Sequence, residues 1–164
     1  MQSLKVADIK KELLKKSSAE LAELCLALAK YKVENKELLT YLLMDANDEP
    51  SYIKACMLEI DDMFEELNRS NYYLIKKGLR KIIRITSKRI KYSGKKETEI
   101  ELFLYFISKS LEEKIKTDAN QVTLNMYISL FKKIEKSISM LHEDLQFDFK
   151  RKTDPLKHKI IPKL

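Results

Sequence analysis

The chain has no tryptophan, only two glycines (Gly78 and Gly94) and three prolines in 164 residues. Tight turns with positive φ call for glycine, whose average usage is ~7%. A chain this poor in it is not built from hairpins, sandwiches or Rossmann-type turns. The same shortage removes the glycine-rich loops that cradle phosphate groups. Cysteine is scarce as well: Cys25 and Cys56 have no paired spacing, so neither a disulfide framework nor a zinc site is expected. Both fall on apolar helix faces, where buried, reduced thiols are the expectation. No run approaches the ~20 consecutive apolar residues that span a bilayer. The opening MQSLKVADIKKELLKK lacks the apolar core of a signal peptide. A cytoplasmic protein is the simplest expectation.

What is present is charge and helical periodicity. Charged residues make up 35% of the chain and apolar residues 45%, enough to drive collapse into a globule. The net charge of +7 is not spread evenly. Residues 69–96 hold eleven Lys or Arg and no acid, whereas 45–68 hold eight carboxylates and the single Lys54. Two neighbouring segments of opposite charge, both amphipathic, pose one question: do they neutralise each other, or does one meet a partner?

The periodicity predicts an all-α helical bundle of about seven helices. One domain is expected over 1–153, with a tail, 154–164, docking through Leu156, Ile160, Ile161 and Leu164 on the body or on a second chain. A HEAT-like stack of helical pairs is the alternative, although no repeat period is visible. A short first helix, about 4–16, carries Val6, Ile9, Leu13 and Leu14. Ser17 and Glu20 form a capping box for the second. Its body, Leu21 to Ala29, is apolar except at Glu23, the pattern of a central helix. The third, 35–46, starts at Asn35, and the fourth opens at Asp48-Glu49-Pro50.

The fifth helix, 71–92, sets Ile75, Leu79, Ile82, Ile83, Thr86 and Ile90 on one face. Lys76, Lys77, Arg80, Lys81, Arg84, Lys88 and Lys91 fill a sector of roughly 140° opposite. Gly78 borders the apolar face, where it permits close approach of another helix, and Gly94 marks the stop. The sixth, 96–115, is apolar through its middle. The seventh, capped by Thr117 or Asp118, runs to Asp154-Pro155, with Leu124, Tyr127, Phe131, Ile134, Ile138, Leu141 and Leu145 forming a heptad seam.

The arginines sharpen the basic segment. There are five against 27 lysines, yet Arg69, Arg80, Arg84 and Arg89 lie within 21 residues. The planar guanidinium fork suits phosphates and carboxylates equally. In one arrangement the charged flanks of the fourth and fifth helices pair, and Arg89 is tied to a carboxylate such as Glu99. In the other, the basic face tracks a phosphate backbone, with Tyr72, Tyr73 and Tyr92 placed to stack on bases. The acidic face, Glu59, Asp62 and Glu66, offers oxygen ligands of the kind Mg²⁺ or Ca²⁺ accepts, but a solvated face is the plainer reading. His142, beside Glu143 and Asp144, is expected to be a partly buried structural residue, since neighbours at i+1 and i+2 do not face each other on a helix. No nucleophile, base and oxyanion set emerges. No enzymatic activity, cofactor or metal is expected.

The stretches AELCLALAKYKVENKELLTYLL (22–43), LRKIIRITSKRIKYSGKKETEIEL (79–102) and LHEDLQFDF (141–149) resemble a family of small, uncharacterised, all-helical bacterial proteins. The resemblance implies a helical fold and carries no activity, ligand or functional residue. The expectation is therefore a non-catalytic interaction module that binds a protein partner or itself. Its alternative is a nucleic-acid-binding protein that uses 71–92.

Overall fold

The computed structural model describes residues 3–117 and 119–161. Among them are eight α-helices and no strand, so the all-α expectation holds: α1 (Val6–Leu13), α2 (Ser18–Tyr31), α3 (Val33–Thr40), α4 (Glu49–Glu65), α5 (Tyr72–Ser93), α6 (Lys96–Glu112), α7 (Gln121–Ile138) and α8 (Glu143–Ile160), with a π-helical turn at Tyr41–Asp45. Where one domain over 1–153 was expected, the chain divides into two compact units, Met1–Asp45 and Ala46–Leu164.

In the first unit α2 packs on α3, and α3 runs into the π turn. The capping box forms as read: Ser17 Oγ accepts from the Glu20 N–H, and Glu20 accepts from the Ser17 N–H at 2.9 Å. Asn35 does not start α3, which begins at Val33. Its side-chain amide donates instead to the Leu28 carbonyl at 2.8 Å, closing the end of α2. No residue of α1, α2 or α3 is buried. The expectation that the second helix is central is therefore overturned. Cys25, on α2, is exposed rather than buried, while Cys56 is buried as expected.

The centre of the second unit is α6, which touches α4, α5, α7 and α8. Its Ile100, Leu102, Phe103, Phe106 and Ile107 are all at most 1% exposed. Phe106 lies between Phe64 of α4 and Tyr127 of α7, with ring centroids 5.6 and 6.1 Å away. Burying side chains of this size contributes roughly 1.5–3 kcal/mol each. The sequences of α2 and α6 share an all-round apolar character, but α6 carries phenylalanines and α2 mainly Leu and Ala.

The predicted long seventh helix is two helices. The seam is buried from Tyr127 through Phe131 and Ile134 to Ile138, then ends. Ser139 caps α7, and its hydroxyl donates to the Lys136 carbonyl at 2.7 Å. After the turn, Gln146 Nε2 donates to the Leu141 carbonyl at 2.8 Å, and α8 opens with Glu143 and Asp144 at its positive end. Asn120, not Thr117, caps α7; Asp118, the other predicted cap, lies outside the described residues. Asp154 and Pro155 do not stop the chain, because α8 runs through them. Proline there lacks an N–H for the helical ladder, but the residues that follow are held. Ile160 and Ile161 are buried, and Lys157 Nζ meets Glu135 of α7 at 2.6 Å. The predicted docking tail is thus the last part of a helix packed on α6 and α7. Leu164 lies outside the described residues.

Candidate interaction surfaces

Helix α5 is bounded as its sequence dictates. Asn71 accepts from the Leu74 N–H at 3.0 Å, and Gly94 closes the other end with φ at 69°. Leu79, Ile82, Thr86 and Ile90 are buried. That fixes the rotation of the helix and sends the basic sector outward.

Three of the acids of α4, Glu49, Glu59 and Asp61, are held by neighbouring helices. Glu49 accepts from Ser93 and Thr98 and pairs with Lys95 Nζ at 2.9 Å, which joins the start of α4 to the end of α5 and the start of α6. Asp61 accepts from Tyr105 Oη at 2.7 Å and pairs with Lys109 Nζ at 2.9 Å, both on α6. Burial works against the Asp61 charge, but the Tyr105 hydroxyl and Lys109 outweigh it and hold the carboxyl below its usual range. Burial, with Asp61 alongside, pushes Tyr105 up to about 12. Glu59 is held by Arg89.

Two of the four clustered arginines are therefore structural. Arg89 binds Glu59 and not Glu99, which instead meets Lys96 and accepts from Ser137. Arg69 spans to Glu113 at the end of α6, 2.7 Å away. The other two, Arg80 and Arg84, are exposed, as are Lys77, Lys81 and Lys91, and none of these five has an ion pair or hydrogen bond among the described residues. Lys76 lies 5.9 Å from the ring centroid of Tyr73. Lys88 is half-buried and already engaged. Asp62, Glu65 and Glu66 are likewise exposed and have no such partner.

Beside the basic sector runs an open groove of about 500 Å³, lined by Met63, Glu66, Leu67 and Asn68 on one side and by α5 from Leu74 to Arg84 on the other. Gly78 shapes it, although what it admits is the α4–α5 connection and not, as expected, another helix. A Cβ at that position would sit 2.1 Å from Leu67 Cδ1, so glycine lets Leu67 rest on the α5 backbone. The groove joins apolar side chains (Met63, Leu67, Leu74, Ile82) to a cationic rim (Lys77, Arg80, Lys81, Arg84). The apolar half was not read from the sequence, because it arises only where the α4–α5 connection folds over Gly78.

The remaining sequence candidates are dispersed. Glu59, Asp62 and Glu66 do not converge, and no group of three His, Cys, Asp or Glu side chains among the described residues is arranged to hold a metal ion. His142 is exposed, not partly buried; it precedes α8, and there its Nδ1 can approach Asp144 at 3.4 Å. Of the three tyrosines flanking α5, Tyr72 donates to Thr123 and Tyr92 is half-buried, which leaves Tyr73 exposed. No helix among the described residues is long and apolar enough to cross a membrane.

The first unit offers a second surface. Leu4, Val6, Ile9, Leu13, Leu14, Leu24, Leu26, Leu28, Tyr31, Val33, Leu38, Leu42, Leu43 and Met44 are exposed, against Leu58, Tyr73, Val122, Met140, Leu145 and Phe147 in the rest of the described chain. No family model matches the chain, and no curated protein or solved structure matches it either.

Proposed function

We propose that the protein is a non-catalytic interaction module that binds a protein partner, or a second copy of itself, through its helical surface. One observation carries this reading: the exposed large apolar side chains concentrate in Met1–Asp45, whose three helices bury none of their own residues. A concentration of exposed apolar side chains is what a site of association would present. The test is to measure molar mass by light scattering and to recover partners in gentle pull-downs, for the parent chain and for a Leu24→Glu, Leu28→Glu variant. Assembly or specific capture that the variant loses supports the reading. A parent chain that stays monomeric and is recovered alone overturns it.

A second reading, nucleic-acid binding by α5, has its own support in the unpaired row of Lys77, Arg80, Lys81 and Arg84. Anisotropy titrations with short duplex DNA and single-stranded RNA at two salt concentrations test it. Phosphate contacts make affinity fall steeply with salt. Binding that is salt-insensitive, or that survives Arg80→Glu with Arg84→Glu, rules it out.

A further inference from the structure

The geometry of the α4–α5 groove points to a specific occupant: we infer that it docks an acidic amphipathic helix of a partner protein. This groove is lined only by residues of the Ala46–Leu164 unit, and the inference stands or falls independently of the reading of the Met1–Asp45 helices.

Three observations lead there. First, Lys77, Arg80, Lys81 and Arg84 recur at i, i+3, i+4 and i+7, so they form one stripe along two turns of α5, about 10.5 Å at 1.5 Å per residue. A partner helix with carboxylates at the same spacing has the same pitch and matches the stripe charge for charge. Arg80 and Arg84 can each hold one carboxylate by two parallel bonds. Neither has a partner to give up first.

Second, the groove beside the stripe is apolar where it meets Met63, Leu67, Leu74 and Ile82, and at about 500 Å³ it falls in the size range of ligand clefts. Leucine-type anchors on the adjoining face of the same helix would fill it, the usual helix-in-groove arrangement. A phosphodiester backbone has nothing to place there.

Third, the far wall is negative. Glu66, the exposed and unpaired C-cap of α4, lines the groove opposite the cations. That carboxylate repels a polyphosphate that spreads across the cleft. It tolerates a helix whose acidic flank faces α5 and whose opposite flank is neutral or basic. Charge thus fixes how the guest is rotated as well as that it is acidic.

The probe is a fluorescein-labelled synthetic peptide of about 18 residues, five helical turns, with leucines on one face and glutamates along a single flank. It is titrated into the full chain and followed by anisotropy. The expected result is binding with Kd on the order of 10 μM at low salt. A scrambled peptide of identical composition binds roughly tenfold more weakly or worse, because the apolar anchors no longer align with the charges. Arg80→Glu with Arg84→Glu weakens the ordered peptide by a similar factor while leaving the circular dichroism spectrum intact. Met63→Glu weakens it without touching a cation. Equal binding of ordered and scrambled peptides reduces the face to nonspecific charge attraction and overturns the inference. So does tighter binding of duplex DNA or single-stranded RNA lost in the same arginine variant, which assigns the face to nucleic acid. Absence of peptide binding at low salt overturns it outright, and the light-scattering result on the Met1–Asp45 helices is unaffected.

Discussion

Arg89 of α5 holds Glu59 of α4 by two parallel bonds, Nε to Oε2 and Nη2 to Oε1, each 2.8 Å long. This pair joins the basic helix to the acidic one, and Tyr52 adds a bond from its hydroxyl to the Arg89 carbonyl at 2.9 Å. Replacing Arg89 by Lys keeps the charge and loses the fork. Because the pair is only partly buried, Arg89→Lys is expected to cost about 1 kcal/mol in urea unfolding. A cost near zero would mean that the α4–α5 junction rests on packing alone.

Phe106→Ala is expected to cost about 3–5 kcal/mol, since it opens a cavity between Phe64 and Tyr127. Leu26→Ala, at a side chain 54% exposed, should stay within about 0.5 kcal/mol. Chemical denaturation of both variants separates the two apolar helices. A Leu26→Ala loss as large as that of Phe106→Ala would mean that α2 has a cover.

Asp61 ties α4 to α6 through a carboxyl held below its usual range. A group depressed in the folded state stabilises above its unfolded pKa of about 3.9 and ceases to as pH falls through the folded value. Asp61→Asn should therefore be less stable than the parent at neutral pH and show a shallower loss below about pH 4. Tyr105, raised to about 12, works in the opposite direction. Its contribution is complete below about pH 10 and disappears as pH rises through the folded value. Tyr105→Phe should flatten the alkaline limb, and equilibrium unfolding across pH tests both arms.

The two glycines should respond differently to alanine. Gly94 has φ at 69° and open space around it, so Gly94→Ala pays only backbone strain, about 1–2 kcal/mol. At Gly78 alanine favours the helix by up to about 1 kcal/mol but displaces Leu67. Gly78→Ala is expected to leave stability nearly unchanged and to weaken binding of the acidic peptide, because Leu67 turns into the groove. A large stability loss would show that Leu67 cannot move.

Cys25 should react with a maleimide under native conditions, whereas Cys56, 5% exposed, should wait for denaturant. Mass spectrometry of a timed labelling distinguishes one modified thiol from two.

Local signals in the sequence translated directly into structure. The Ser17–Glu20 box, the opening of α4 at Asp48 and the Gly94 stop all concern residues within four positions of each other, where short-range chemistry decides. Gly78 was legible as a place of close approach, but not that Leu67 of the connection, rather than another helix, would come to it. The break at 139–142 was not, because it contains neither glycine nor proline, and the seam appears continuous across it. Proline at 155 misled in the other direction, because the tertiary hold on Ile160 and Ile161 outweighs one missing bond. Five of the seven residues of the basic sector are exposed on α5, Lys76 and Lys88 being half-buried, and which arginines are free depends on contacts far apart in sequence. Glu59 lies thirty residues before Arg89 and Glu99 ten after it, and nothing local chooses between them.

The unpaired carboxylates Asp62, Glu65 and Glu66, at the end of α4, and the unpaired cations Lys77, Arg80, Lys81 and Arg84 of α5 sit within one compact unit. Separated charges of opposite sign on one body form a permanent electric moment. In the field of a charged macromolecule such a body feels a torque before it feels a contact, within roughly the 8–10 Å over which salt leaves fields unscreened. The Ala46–Leu164 unit therefore does not meet a charged partner at random orientations. The unpaired cations draw α5 toward negative surfaces, so productive encounters are favoured by rotation during approach.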